Sequence, residues 1–338
     1  MMPQITGDPK GVNRPMTHRV PVRYESVFEH AYGVEAEDLR RLYENAKRDQ
    51  WNVARDVPWD QPVDLERGVV ADELIDIYGT PFWDRLGPRE RAELNQRFAA
   101  WRLSVLLYGE HGAMLVCSQL VETVSGTDAK YFQATQVVDE ARHTEVLNRY
   151  ITDKLGGLFY PMPSNERELF DTLLGDSRWP VKTIGLQLVA ETFAVSLFKM
   201  LAESSKDDLL RQICQYVLRD ESRHMGFGML SLPHVVGEMS EGERKELEDF
   251  TVWALEKVLT GLFPHEVYRD MGFTAGEIRE IQRLRKERAV GAESSLFRRL
   301  FKRDLHGALI QNLTRIGLLT ERMAPRLEAL GIRATAPA

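Results

Sequence analysis

The pentapeptide Asp139-Glu140-Ala141-Arg142-His143 recurs 81 residues later as Asp220-Glu221-Ser222-Arg223-His224. Each copy contains Glu-x-x-His. On a helix that spacing sets a carboxylate and an imidazole on one face, a turn apart. One copy is a weak signal. Two copies, each with a flanking Asp and Arg, constrain the chain far more. Paired Glu-x-x-His helices are a known way to hold two metal ions inside a helical bundle.

The surrounding pattern predicts the helices that such a bundle needs. Residues 88–124 are apolar on nearly every side in their middle, RLSVLLYGEHGAMLVCSQLVE, which marks a buried helix. Ser125-Gly126-Thr127-Asp128 reads as a stop followed by a new start, and a second helix is expected over 128–154. Trp179-Pro180 opens a third helix to about 203, and a fourth covers 208–231, ending before Pro233. Further helices are expected at 35–50, 69–78, 166–174, 241–262, 274–290 and 295–330, and strand signals are nearly absent. The reading is therefore all-α: one domain over 1–338, with an extended arm at 1–30, a four-helix core at 88–231 and accessory helices at 241–330.

The two hairpins, 88–154 and 180–231, supply a spacing test. In an antiparallel pair, residues equidistant from the turn lie side by side. Glu140 lies 15 residues after a turn at about 125, and Glu110 lies 15 before it. Glu221 lies 15 after a turn at about 206, and Glu191 lies 15 before it. Glu110 and Glu191 are each lone carboxylates in apolar stretches, a costly placement unless they are paired or metal-bound. The expected ligands are Glu110, Glu140, His143, Glu191, Glu221 and His224. Four carboxylates and two imidazoles suit iron or manganese better than zinc or copper. Glu140 and Glu221 are the expected bridges, Glu110 with His143 completing one metal and Glu191 with His224 the other. Metal-bound imidazoles usually donate their second N–H to a carboxylate. Asp220 is thus expected to orient His143, and Asp139 to orient His224, with Arg142 and Arg223 paired to those aspartates.

Other candidates are weaker. His111 points about 100° away from Glu110 on a helix. Glu122, Glu203 and Glu145 read as solvated, Cys117 as a core cysteine, and the basic run at 283–303 as a solvated helix face. A formal charge of -7 and a pI near 5.7 argue against a nucleic-acid partner. Two cysteines suggest no disulfide framework. The start, MMPQITGDPKGVNRP, lacks the apolar segment of a signal peptide, and no run is read as a membrane span. A cytoplasmic protein with no membrane partner is expected.

The pattern Glu…Asp-Glu-x-Arg-His…Glu…Asp-Glu-x-Arg-His resembles the ferritin-like di-iron carboxylate proteins over roughly 88–231. This superfamily includes multicomponent monooxygenase hydroxylases, ribonucleotide reductase small subunits, ligand-binding oxidases related to those subunits, acyl carrier protein desaturases and arylamine N-oxygenases. The resemblance implies a ferritin-like four-helix bundle, a homodimer and an oxygen-activating di-iron oxidase or monooxygenase. Its metal pair would be two irons or manganese and iron, with dioxygen as co-substrate. A small or medium organic substrate and electrons from a separate reductase or ferredoxin complete the expectation. The alternatives are an arylamine-type N-oxygenase, or a ferroxidase without an organic substrate. Subfamily marks mostly exclude. The radical tyrosine position of ribonucleotide reductase subunits is Leu147 here, and Glu110 replaces their usual Asp. The ligand-binding oxidases' valine and cross-linking tyrosine fall on Gly112 and Leu186. The monooxygenases' threonine falls on Val195, with Thr192 and Thr144 as other nearby hydroxyls. The arylamine N-oxygenases' third histidine falls on Val217, which counts against amine oxidation without excluding it.

Overall fold

The computed structural model describes residues 18–260, 262–290 and 296–332. Residues 1–17 of the expected arm lie outside the described residues, as do the side chains of 288–304 within the basic run. A first helix, α1 (Glu37–Arg48), and a single turn, α2 (Val53–Asp56), precede another short turn, α3 (Pro81–Asp84). Two antiparallel hairpins form the core. The first joins α4 (Pro88–Thr123) to α5 (Thr127–Lys154). After α6 (Ser164–Gly175), the second joins a continuous helix, Trp179–Ser204, to α9 (Asp208–Glu238). That continuous helix consists of α7 (Trp179–Thr183), a π-helical segment (Ile184–Ala190) and α8 (Glu191–Ser204). The gaps between the paired helices are centred on residues 125 and 206, the positions from which the ligand spacing was counted.

Local chemistry fixes these ends. Pro88 occupies the first turn of α4, and Glu90 accepts the Gly87 N–H at 2.7 Å. Asp207 caps α9 by accepting from Leu210 N–H at 2.8 Å, and it also accepts the Tyr150 hydroxyl at 2.6 Å. This one carboxylate thereby ties the end of α5 to the start of α9. Helix α6 crosses α4 closely, because a Cβ on Gly112 would stand 2.5 Å from the Phe170 ring. Only glycine admits that approach.

Around the core lie α10 (Glu241–Leu259), α11 (His265–Asp270), α12 (Ala275–Val290), α13 (Leu296–Arg315) and α14 (Ala324–Ala329). Residues 18–35 run as an extended strap over the first hairpin. Val27 N–H donates to the Glu122 carbonyl at 2.8 Å, and Glu29 accepts the Gly126 N–H at 2.5 Å. Asp128 accepts the backbone N–H groups of Glu35 and Ala36, both at 2.9 Å.

Four expectations are corrected. Residues 69–78 form a 3-10 turn at Asp72–Leu74 and an isolated antiparallel bridge, Val70 to Ser205, rather than a helix. Their backbone is instead held by Asn95, which bonds Val69 and Val70 N–H and the Val70 carbonyl. Helix α9 continues through Pro233, which lacks a backbone donor, and the helix stays packed through buried Leu232 and Val236 on either side. The helix expected over 295–330 is divided, because Gly317 takes φ 75° and ends α13. Finally, Trp179–Ser204 is long and apolar enough to cross a membrane. It is apolar all round because it runs through the bundle interior, where 83% of the apolar window is buried.

Candidate metal centre

Four helices contribute the site. Helix α4 brings Glu110, and α5 brings Glu140 and His143. Glu191 is the first residue after the π-helical segment, and α9 brings Glu221 and His224. A π turn inserts an extra residue into a helical turn and is frequent at functional sites. Here it sets the direction from which Glu191 enters the bundle. All six side chains are buried, Glu110 and Glu191 being the most accessible at 4%.

The distances divide the six into two overlapping groups. His143 Nδ1 lies 3.1 Å from Glu110, 3.4 Å from Glu140 and 3.2 Å from Glu221. His224 Nδ1 lies 3.2 Å from Glu140, 3.2 Å from Glu221 and 3.9 Å from Glu191. Glu140 and Glu221 are thus shared, whereas Glu110 and Glu191 each belong to one half. Oxygen or nitrogen atoms of Glu110, Glu140, His143 and Glu221 lie within 4.8 Å of one another, as do those of Glu140, Glu191 and His224. Glu140 Oε2, Glu191 Oε2 and Glu221 Oε1 are buried without a hydrogen-bond donor. Orphaned carboxylate oxygens at such depth are costly, and a cation between them removes that cost. The oxygen-rich donor set, with one imidazole in each half, fits iron or manganese.

The far ring nitrogens are held across the bundle. His143 Nε2 is 3.1 Å from Asp220 Oδ2, and His224 Nε2 is 3.2 Å from Asp139 Oδ2. Each imidazole thereby donates outward and keeps Nδ1 directed at the carboxylates. Arg142 donates to Asp139 at 2.5 Å and to Asp220 at 3.1 Å. Arg223 donates to Asp220 and, at 3.5 Å, to Asp139. Two aspartates and two arginines therefore form one closed buried network.

The charge balance without a cation is legible in the titration of these groups. Burial and the Glu221 carboxylate push Glu110 well above the usual carboxylate range. Burial, with Glu221 and Glu140 nearby, does the same to Glu191, although His224 opposes it. Burial also raises Glu140, but His224 and His143 outweigh it and hold Glu140 well below its ordinary value. Burial would lower both imidazoles. Asp220 and Glu110 overcome this at His143, and Glu221 and Glu140 at His224, so both are raised well above their ordinary values. Four of the six groups, Glu110, Glu191, His143 and His224, are thereby shifted towards their protonated forms.

Three participants escape sequence reasoning. Gln136 donates to Glu191 at 2.6 Å and to Glu140 at 3.3 Å. Its position one turn before Glu140, in a buried helix face, is the signal that could have found it. Trp51 Nε1 donates to Asp220 at 2.7 Å, and Gln50 to Asp139 at 3.3 Å. They come from the link between α1 and α2, and no local pattern marks them. Conversely, His111, Glu145 and Glu203 are exposed and stand apart from the cluster. Exposed Glu122 binds the strap through Tyr24 and Ser26. Cys117 is a buried free thiol. The Thr144 hydroxyl bonds the Glu140 carbonyl, and that of Thr192 faces Met225 and Asn312.

An apolar cavity reaches the cluster. Its lining includes Glu110, Glu140, Glu191 and Glu221. Leu106, Ala113, Leu169, Phe170, Phe193 and Leu197 form much of its wall, and the more exposed Asn165, Lys257 and Thr260 stand at its mouth.

A family model described as p-aminobenzoate N-oxygenase AurF matches residues 34–303. No curated protein matches the chain. Among solved structures, one point mutant of an R2-like ligand-binding oxidase, with an aerobically reconstituted Mn/Fe cofactor, superposes with a TM-score of 0.52 at 17% identity. That match covers 85% of this chain and 100% of the other. A second point mutant of that oxidase, likewise with a Mn/Fe cofactor, gives a TM-score of 0.50 at 18% identity, covering 81% and 93%. At such identities the likeness is one of fold, and it is to ferritin-like helical oxidases.

Proposed function

The chain belongs to the p-aminobenzoate N-oxygenase AurF family and is a di-metal oxidoreductase, and on that premise we propose that it oxidises a small or medium organic molecule with dioxygen. Electrons would come from a separate reductase or ferredoxin, since two cysteines cannot supply a four-thiolate iron–sulfur cluster within this sequence. The observation that carries the reading is the pair of overlapping carboxylate–imidazole groups at the end of an apolar cavity. A cytoplasmic homodimer belongs to the same proposal.

Glu110 and His143 would hold one metal ion, and Glu191 and His224 the other, with Glu140 and Glu221 between them. When bound, the metal pair supplies the redox equivalents and open coordination positions for reducing dioxygen. The remaining work falls to the chain. Asp220 and Asp139 fix the imidazole tautomers through Nε2–H. Arg142 and Arg223 pair with both aspartates and hold them in place. Gln136 restrains Glu191 and Glu140 through its amide N–H groups. The leucine and phenylalanine wall excludes water from the reacting centre.

Family membership favours nitrogen oxygenation as the finer reading. Val217, fully buried, occupies the place of a third histidine, so the His224 half would rely on a single imidazole. A cavity that reaches the glutamates favours an organic substrate over simple iron oxidation. The test is to reduce iron-loaded protein and mix it with oxygen, with and without an arylamine. An oxygen-dependent optical transient and a hydroxylamine or nitro product are expected. Absence of any oxygen-dependent transient would sink the proposal.

A further inference from the structure

One polar group in the cavity has no assigned task. Glu166, in the first turn of α6, lines the wall, and its Oε2 is buried without a hydrogen-bond partner. Its other oxygen would stand 3.2 Å from a Cβ on Gly109, so the carboxyl lies against α4 one residue before Glu110. The other polar groups of the mouth are already engaged. Lys257 Nζ is 2.8 Å from Glu168, and Asn165 donates to Thr260 Oγ1 at 2.9 Å. Apart from the glutamates of the metal centre, the unused polar contact that the wall offers an incoming molecule is therefore the Glu166 carboxyl.

We propose that Glu166 determines the specificity of the cavity, selecting an apolar molecule with a cationic or N–H-donating amine and excluding one with a carboxylate. The inference rests on the reading of this cavity as the substrate site. An amine supplies the missing donor and can take the proton of Glu166, leaving a net neutral pair. A carboxylate could only accept the proton of Glu166, and that pair would carry a net negative charge in an apolar wall, with the Lys257 ammonium at the mouth already paired with Glu168. Burial alone already pushes Glu166 well above the usual carboxylate range, the behaviour of an acid that lacks a partner. p-Aminobenzoate itself is thereby disfavoured in this chain, and relatives of it in which an amine replaces the carboxylate are favoured.

The test is anaerobic titration calorimetry of the metal-loaded protein with 4-aminobenzylamine and with p-aminobenzoate. The amine should bind more than about tenfold tighter, and Glu166→Gln should reduce that ratio to about threefold or less. Glu166→Leu, which removes all polarity from the position, is the second variant and should also lose the preference. Equal or tighter binding of p-aminobenzoate by the unaltered protein overturns the proposal, as does failure of both to bind. A ratio that survives in a folded, metal-loaded Glu166 variant overturns it too. Because no oxygen is present, the result reads the cavity independently of whether the proposed oxidation occurs.

Discussion

At the scale of single residues, the shared position of Glu140 and Glu221 governs what each substitution should do. Glu140→Ala removes a carboxylate from both halves, so bound iron should fall by more than half in metal analysis of purified protein. Glu110→Ala should spare the half containing His224. Trp51→Phe keeps the ring but deletes the donor to Asp220. Loss of such an outer contact typically weakens metal binding about 10-fold or more, which competition with a chelator would measure. The titration of the cluster gives a prediction that distinguishes metal-free from metal-loaded protein. Glu110, Glu191, His143 and His224 all have folded-state values raised above the ordinary 4.5 and 6.5. The folded metal-free chain therefore binds more protons than the unfolded chain, and their contribution to stability is lost as pH rises past those ordinary values. Glu140 and Asp220 are lowered and act in the other sense, at acid pH. From about pH 6 to 8, then, the melting temperature of metal-free protein should fall. Metal binding displaces the protons and tightens with pH, so metal loading should abolish that fall. A metal-free protein whose stability climbs over this range would contradict these upward shifts.

At the scale of elements, the two hairpins show why part of the site could be read from sequence. Turns centred at residues 125 and 206 place Glu110 beside Glu140 and Glu191 beside Glu221, because antiparallel helices keep register from a short turn. Asp139 and Asp220 follow from the same repeat. Gln50, Trp51 and Glu166 do not, since they arrive from a link and from α6, whose docking depends on contacts distant in sequence. The π-helical segment was equally invisible, because its apolar residues, Ile184 to Ala190, carry the same pattern as a buried α-helix. Residues 69–78 escape their own pattern for a related reason: their conformation is set by Asn95, not by their periodicity. Helix packing makes its own prediction. Gly112→Ala forces a methyl group into the Phe170 ring, and such overpacking costs about 1–3 kcal/mol, measurable by chemical denaturation. Since Phe170 also lines the cavity, the same variant should alter ligand affinity. Asp207→Ala loses a helix cap and the Tyr150 partner together, for about 2 kcal/mol.

At the scale of the whole molecule, the arrangement separates a buried interior from an accessory shell. The bundle positions the six clustered side chains, while α6 and the end of α10 supply the cavity mouth, where the account puts substrate contacts. This division explains why the ligand set specifies a superfamily and leaves the reaction open: the chemistry-bearing repeat and the specificity-bearing wall lie on different elements. The account also commits to where metal density must lie. Crystals of iron-loaded protein, measured at the iron absorption edge, test it most directly. Two anomalous peaks are predicted, both between Glu140 and Glu221, one facing Glu110 and His143 and the other Glu191 and His224. A single peak, or peaks away from these six side chains, would contradict the account.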